Sequence, residues 1–291
     1  MENRLATSNG AGIPVPQVTL SPTVIEAQSG WGRLNLGDLW GSRHLFRRLI
    51  VRDLKSRYRM TALGPTWFII SPFFNMVILS LVFGQLAKFY SDGLPYPIFV
   101  FSATLPWHLF QTSFERARGS LLEYMSWITK IYIPHLMIPL ISISTGLLDW
   151  LISLTILVGL MLYYHIHLSW NVLVLPFYAA ICTGAALALG LWSAPLAVRF
   201  RDFDRIAGYA VMALYYGTPI IYSGAIIPQK WLWLYQLNPL YWAVEGFRWA
   251  LLGTGQAPQP FMLIGIGFIL LVLISGLFVY ERTTRNIADI K

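Results

Sequence analysis

Charged residues are scarce in this sequence: they make up 12% of its 291 residues, whereas hydrophobic residues make up 56%. That balance is too apolar for a water-soluble domain of this length and indicates a protein that crosses a membrane several times. The net charge of +8 would be compatible with nucleic-acid binding. The positive residues, however, stand between apolar runs rather than on one face, which argues against a nucleic-acid partner and is typical of membrane topology.

Cysteine is almost absent, since Cys182 is the only one in the sequence and lies inside an apolar run. This excludes an intrachain disulfide and a thiol metal cluster, and we interpret the thiol as a packing group. The first forty residues also lack the hydrophobic segment of a signal peptide. We therefore expect the membrane spans to act as their own insertion signals.

Motifs for nucleotide or metal binding are lacking as well. No Gly-Lys pair occurs in the chain, whereas a Walker phosphate-binding loop ends in one. His165 and His167 flank a single residue, but no carboxylate or third His is near them in the sequence, so we expect a solvated turn. The sequence thus predicts no catalytic residue, no metal and no cofactor in this chain.

A D-x-D motif, Asp202 and Asp204, is compatible with a metal-dependent glycosyltransferase. Because Arg199, Arg201 and Arg205 flank the two acids, local ion pairs or helix capping explain them more simply. We favour this structural interpretation.

Two further polar features lie in apolar surroundings. Asp149 is the one acid deep inside an apolar run, and either a functional role or a structural partner on a neighbouring helix would explain its burial. Glu245 and Arg248 are three residues apart, so they are expected to pair on one face of a helix at the membrane boundary.

Six apolar runs have roughly the 20 residues that a helix needs to cross a bilayer. Because backbone groups in lipid must bond within their own segment, we expect helices and an all-α fold with six transmembrane spans. The predicted spans are 66–86, 98–112, 136–164, 172–198, 206–227 and 261–280.

The distribution of positive charge predicts the orientation. With both termini in the cytosol, all of the 21 Lys and Arg residues except Lys88, Lys230 and Arg248 lie on the cytosolic side. Positively charged loops stay on that side, so both termini are expected there.

A basic amphipathic helix is predicted over residues 44–60, ahead of the first span. Phe46, Ile50, Leu54 and Tyr58 recur every fourth residue among seven Lys and Arg residues, as in helices that lie along a membrane surface or a partner protein. We divide the chain into a mobile tail over 1–30, an interface segment over 31–62 and a transmembrane domain over 63–291.

Two of the connections between the predicted spans are longer than a simple turn. The cytosolic one, 115–135, predicts a short helix over 121–131. The outer one, 228–260, predicts a pair of short helices that dip into the membrane, the second capped by Asn238, started by Pro239 and ended by Gly253.

Four segments together resemble the permease subunit of polysaccharide-exporting ABC-2 type ABC transporters, which export O-antigen, capsule or teichoic acid. They are IVRDLKSRYRMTALGPTWFIISPFFNMVILSLVFG at 50–84, the cytosolic VRFRDFDRI, TPIIYS at 218–223 and LNPLYWAVEGFRWALLG at 237–253. The resemblance extends over about residues 45–280.

This resemblance implies a homodimeric channel in the bacterial inner membrane, paired with two cytosolic ABC ATPase subunits that hold ATP and Mg. The chain itself would be no enzyme, and its cargo would be a lipid-linked polysaccharide, with O-antigen as the first expectation. Two alternatives stay open: an ABC-2 permease for a small lipid or drug, and a membrane-embedded transferase that uses Asp149, Asp202 or Asp204.

The resemblance also implies roles for four groups of residues. The cargo pathway would include the aromatic residues Trp67, Phe68, Phe73, Phe74, Tyr215, Tyr216 and Tyr222, which are suited to stacking on sugar rings. The lipid headgroup or the ATPase would be contacted by Arg52, Lys55, Arg57 and Arg59. The coupling helix would present Leu121, Glu123, Tyr124, Trp127 and Lys130. The outer gate would contain Trp231, Trp233, Tyr241, Trp242, Glu245 and Arg248.

Overall fold

The computed structural model describes residues 41–58, 66–128 and 133–288, and all regular structure in these ranges is helical. This confirms the predicted all-α class. The tail over 1–30 and the start of the interface segment lie outside the described residues. The α-helices are α1 (Arg43–Tyr58), α2 (Trp67–Leu79), α3 (Tyr96–Ile128), α4 (Met137–Tyr163), α5 (Leu175–Arg199), α6 (Phe203–Tyr216), α7 (Gln229–Leu237), α8 (Pro239–Leu252) and α9 (Met262–Ala288).

Four helical segments in the described part of the chain are long and apolar enough to cross a membrane. They are Ile69–Leu86, Met137–Tyr163, Trp170–Arg199 and Met262–Thr284. The first joins α2 to a π-helical segment, Ser80–Leu86, and the third adds a 3-10 turn, Trp170–Val174, to α5. These segments correspond to the first, third, fourth and sixth predicted spans.

The other two predicted spans have different structures. The run over 98–112 belongs to the 33-residue α3, which continues far beyond it. The run over 206–227 is not one helix: α6 ends at Tyr216, and a turn and a 3-10 helix, Gly224–Ile226, follow. Its predicted continuity is therefore wrong, and a count of six spans stays a prediction.

The predicted short helix over 121–131 is also wrong as a separate element, because residues 121–128 are the last turns of α3. The helix continues through Gly119 without a break, and Ala117, Ser120, Leu121 and Tyr124 line one buried face of it. Residues 129–131 lie outside the described part of the chain.

Helix α3 forms the centre of the bundle. Its first turns are buried on all sides, as Ile98, Phe99 and Val100 show, and it packs against α4, α5 and α8. The backbones of α3 and α5 come very close, since a Cβ atom on Gly190 would overlap that of Ala117. Helix α2, in contrast, points its apolar side chains outward, which suits contact with lipid or another membrane helix.

Candidate coupling and gating sites

The basic helix α1 docks on the bundle through one narrow face. Leu49 is buried there, while Leu45, Phe46 and Ile50 are half-buried against a cluster from the end of α3 and the start of α4. The amphipathic prediction is thus confirmed for the described residues. The buried face is centred on Leu49 and Asp53, one residue before the stripe that the sequence pattern indicated.

Asp53 connects α1 to α3. The Tyr124 hydroxyl donates to Asp53 Oδ2 at 2.5 Å, and Arg52 donates to Oδ1 from Nη2 at 2.8 Å and from Nε at 3.2 Å. The Arg52 guanidinium carbon also lies 5.1 Å from the Tyr124 ring centroid. We call these three residues the α1–α3 junction. Arg52 orients the Asp53 carboxylate within α1, and the hydrogen bond from Tyr124 joins that carboxylate to the last turns of α3.

Burial of Tyr124 raises the pKa of its hydroxyl, and the hydrogen bond to Asp53 raises it further. The hydroxyl therefore stays protonated and continues to donate throughout the physiological pH range. Sequence reasoning missed Asp53, although it is the one acid among seven basic residues and lies one turn after Leu49.

The structure describes only some of the other residues that were expected at this surface. Lys55 and Glu123 are exposed, whereas Leu121 is buried. The side chains of Arg57 and Trp127, together with Arg59 and Lys130, lie outside the described part of the structure. The structure thus brings Arg52 and Tyr124 together, although they were predicted for two different surfaces.

Asp149 has a structural partner inside the bundle. Arg116 of α3 donates from Nη2 to Asp149 Oδ2 and from Nη1 to Thr145 Oγ1, the latter at 2.8 Å. Thr145 and Asp149 lie one turn apart on α4, so a single planar guanidinium reaches both. Asp149 thus has the partner on a neighbouring helix that a structural role requires.

The two acids of the D-x-D motif are paired as well. Arg205 Nη1 lies 3.8 Å from an Asp202 carboxylate oxygen, and Arg118 Nη1 lies 3.4 Å from one of Asp204. Arg118 also donates to the Asp204 carbonyl oxygen at 2.9 Å. The expected local ion pair is confirmed for Asp202, while the partner of Asp204 belongs to α3. Asp202 stands at the N-cap of α6 without a side-chain capping bond.

The outer segment contains the two short helices that were predicted. Asn238 Oδ1 accepts from the Leu240 N–H at 3.0 Å and caps α8, Pro239 is its first residue, and Gly253 closes it at φ 71°. A left-handed φ of this kind favours glycine. In α7, Trp231 and Trp233 are exposed, whereas Tyr241 and Trp242 of α8 are buried.

Glu245 and Arg248 form the expected pair at 3.0 Å, but inside the protein rather than at a boundary. Arg248 Nη1 also donates to the carbonyl oxygens of Pro219 at 2.6 Å and Tyr222 at 3.2 Å, and Nη2 donates to that of Ile220 at 2.9 Å. We call this arrangement the Arg248 cluster.

The Arg248 cluster satisfies the backbone that follows α6. The carbonyl groups of Pro219, Ile220 and Tyr222 accept hydrogen bonds from the Arg248 guanidinium, and that of Ile221 accepts from the Tyr96 hydroxyl at 2.6 Å. These groups therefore do not need a continuing helix to be satisfied. The guanidinium is also covered by Phe99 of α3, whose ring centroid lies 3.9 Å from its carbon. The segment after α6 is therefore held against α8 and α3 by one buried cation.

The aromatic residues proposed for a cargo pathway fall into two groups. On α2, Trp67, Phe73 and Phe74 are exposed, and the Phe68 side chain lies outside the described residues. The second group surrounds the end of α6. There Tyr215 and Tyr216 are in ring contact at 5.4 Å, and the Tyr222 hydroxyl donates to the Tyr216 carbonyl oxygen at 3.1 Å.

Known proteins share sequence similarity with this chain. Residues 44–252 match the family described as ABC-2 type transporter. The chain is 27% identical to the O-antigen export system permease protein RfbA of Myxococcus xanthus over 251 residues, which cover 84% of this chain and 95% of that protein. It is 25% identical to a Klebsiella pneumoniae protein of the same name, covering 85% of this chain and 96% of that one. The polysialic acid transport protein KpsM of Escherichia coli is also 25% identical, over a region that covers 80% of this chain and 91% of that protein.

Proposed function

The chain belongs to the ABC-2 type transporter family, and we propose that it is the membrane subunit of an ATP-driven exporter of a lipid-linked polysaccharide. The observation that carries this proposal is the extent of the similarity to relatives named for O-antigen export, which covers nearly their whole length. O-antigen is therefore the polymer we propose first. A relative named for polysialic acid transport supports the same class of cargo.

The proposed assembly contains two copies of this chain and two cytosolic ABC ATPase subunits, which bind ATP and Mg. The outward-facing apolar side chains of α2 support a contact with a second copy or with lipid. In a bacterium this assembly would lie in the inner membrane, with both termini of the chain in the cytosol.

The proposed mechanism transmits movement through the α1–α3 junction. Closure of the ATPase dimer on ATP would push on α1 and on the last turns of α3 together, because Asp53 and Tyr124 join the two helices. Helix α3 is packed against α4, α5 and α8, so its displacement reaches the outer segment. The Arg248 cluster and α7 would form the gate at that end.

The cargo would enter from the cytosolic leaflet, headgroup first. The exposed Lys55 and its basic neighbours on α1 provide positive charge at that surface, which favours an anionic pyrophosphate headgroup. The same charges would serve ATPase docking. Arg52 contributes less to either role, since its guanidinium is engaged by Asp53.

Cargo-dependent ATP hydrolysis tests the proposal. The chain is co-purified with its ABC ATPase, reconstituted in lipid vesicles and assayed with polyprenyl-pyrophosphate-linked polysaccharide from the producing cells. We expect the lipid-linked polymer to stimulate hydrolysis and the polyprenyl phosphate alone to do so far less. Stimulation by small amphiphiles but not by the polymer would support a permease for a lipid or drug instead.

The transferase alternative has less support from the structure. Asp149, Asp202 and Asp204, the acids on which such an enzyme would rely, are each within ion-pairing distance of an arginine. An ion-pair partner explains the position of each acid without a catalytic role.

A further inference from the structure

A row of polar side chains runs along one face of α3. Trp107, Gln111 and Glu115 are four residues apart, so they lie above one another on the helix. The Trp107 indole Nε1–H donates to Gln111 Oε1 at 2.8 Å, and Gln111 Nε2 donates to Glu115 Oε1 at 3.0 Å. The amide of Gln111 is thereby fixed in one orientation, with its second N–H free to donate elsewhere.

This row lies between two contacts that join α3 to α6. At one end the Trp107 ring centroid is 5.2 Å from that of Tyr215, and at the other Arg118 pairs with Asp204. Trp107 to Arg118 and Asp204 to Tyr215 are each a separation of eleven residues, so the two helices run antiparallel over about 16 Å at about 1.5 Å per residue. Between the two contacts their backbones hardly approach each other.

The side chains between those contacts are accessible. Glu115 is exposed and Gln111 is half-buried, although Trp107 is only 3% exposed. Among the described residues, no Lys or Arg forms a salt bridge with the Glu115 carboxylate. An amide and a carboxylate are costly against hydrocarbon, so this face of α3 requires water or a polar ligand.

We propose that Gln111, Glu115, Tyr215 and Tyr216 form a strip that contacts the sugar chain of the cargo, while the buried Trp107 holds the Gln111 amide in position. The inference rests on the proposed function and adds a binding site to it. We call these five residues the polar strip.

The chemistry of the polar strip favours a sugar chain over other occupants. The rings of Tyr215 and Tyr216 offer faces for the apolar sides of sugar rings, while the Gln111 N–H donates to hydroxyl groups and the Glu115 carboxylate accepts from them. Contact with a second copy of the chain would bury the Glu115 carboxylate, which has no salt bridge within the described part of its own chain, and this is unfavourable unless the second copy supplies a cation. An acyl chain would leave every polar group of the strip unsatisfied.

Cysteine labelling tests whether the strip faces water. In a Cys182→Ala background, Glu115→Cys is compared with Leu271→Cys, an exposed position in the apolar part of α9, within the complete exporter in lipid nanodiscs. A membrane-impermeant charged maleimide should label position 115 and leave position 271 unlabelled. Equal protection of both positions would overturn the inference. Efficient cross-linking of two copies through the thiol introduced at position 115 would overturn it as well, because the strip would then belong to a subunit interface.

Transport by a second variant tests for sugar contact. Gln111→Leu removes the amide donor at nearly constant volume, and Gln259→Leu, in the exposed outer loop, is the matched control. We expect Gln111→Leu to lower polymer transport and polymer-stimulated ATP hydrolysis by about tenfold. In both variants, assembly with the ATPase should stay unchanged, and so should the rate of ATP hydrolysis measured without polymer.

The outcomes separate the inference from the function on which it rests. If the unaltered exporter transports the polymer and Gln111→Leu does so equally well, the strip does not bind sugar and only the inference fails. A loss of assembly or of basal hydrolysis in Gln111→Leu would assign the residue a structural role and also overturn it. If the unaltered exporter transports no polysaccharide, the proposed function fails and the inference fails with it.

Discussion

Individual buried polar residues connect the helices of this protein at the surface helix α1 and at the segment that follows α6. The α1–α3 junction ties the surface helix to the central helix, and the Arg248 cluster holds the segment after α6. Both use a charged side chain whose hydrogen-bonding groups are largely satisfied. Removing one member of either set should therefore cost more than an average substitution.

Tyr124→Phe tests the α1–α3 junction. The change deletes one hydroxyl and leaves Asp53 bonded to Arg52 alone, so we expect the free energy of unfolding to fall by about 1–3 kcal/mol. Polymer-stimulated ATP hydrolysis should fall as well, because α1 and α3 would no longer move together. Tyr163→Phe, which removes a hydroxyl from a residue that is 74% exposed, is the control and should change neither quantity. Equal behaviour of the two variants in thermal unfolding and ATPase assays would contradict the role of the junction.

Arg248→Met tests the Arg248 cluster. The variant leaves Glu245 as a buried carboxylate without its cation, and we expect a loss of about 3–5 kcal/mol in stability. Adding Glu245→Gln should restore part of that loss, because the buried charge disappears. Thermal unfolding of both single variants and the double variant measures this coupling, and strictly additive losses would show that the pair is not coupled.

Sequence reasoning reached some of these residues and missed the rest for a physical reason. The Glu245–Arg248 pair was predictable because the residues are one helical turn apart, and the Asn238 cap was predictable from local backbone chemistry. Asp53 and Tyr124 are separated by 71 positions, and Arg116 and Asp149 by 33. Which helix faces meet across such distances depends on tertiary packing, which a local pattern does not contain.

At the scale of helices, close packing of α3 against α5 depends on a small residue. Gly190→Ala would place a methyl group in the space that the Ala117 Cβ atom occupies, so the helices must separate, at a cost of about 1–3 kcal/mol. Gly159→Ala is the matched control, because nothing lies within 4 Å of the added atom. That change should be neutral or stabilise the protein by up to about 1 kcal/mol, since alanine favours helix.

Thermal unfolding of the two glycine variants tests the close packing of α3 against α5. A lower melting temperature for Gly190→Ala beside an unchanged or higher one for Gly159→Ala confirms the close contact. If both variants melt like the unaltered protein, α3 and α5 are not packed as described.

The basic residues over 55–59 carry a further prediction. Reversing Lys55, Arg57 and Arg59 to glutamate should reduce polymer transport about tenfold or more, because each cation contributes roughly 1 kcal/mol at an anionic surface. Loss of ATPase co-purification in the same variant would show a docking role, and retained assembly would show a headgroup role. Arg282→Glu, an exposed change on α9, is the control. Neither role survives if transport and assembly both stay intact.

Element boundaries were predictable where local signals set them. Helix α1 follows from its apolar spacing, and α8 follows from Asn238, Pro239 and Gly253. The separate helix over 121–131 was wrong because buried residues continue the face of α3 without a break. The continuous helix over 206–227 was wrong because Gly217 and Pro219 follow Tyr216, and Arg248, from another part of the chain, satisfies backbone carbonyls beyond that point.

For the whole molecule, the sequence was sufficient to predict an all-α membrane protein and a resemblance that the family match confirms over residues 44–252. Hydropathy and sequence motifs can be recognised without knowledge of how the helices pack, so both could be predicted from the sequence. The polar strip between α3 and α6 could not, because it depends on how two long helices cross. Its Trp107, Gln111 and Glu115 are spaced for one face, but only the fold shows that Trp107 is buried whereas Gln111 and Glu115 stay accessible.

Export in living cells tests the central proposal most directly. The gene for this chain is deleted in its own host, and the surface polysaccharide and the lipid-linked polymer inside the cells are both quantified. We predict that the surface polymer disappears while the lipid-linked polymer accumulates in the cytosol, and that the unaltered gene on a plasmid reverses both changes. An unchanged amount of surface polysaccharide, with no accumulation inside, would contradict the account.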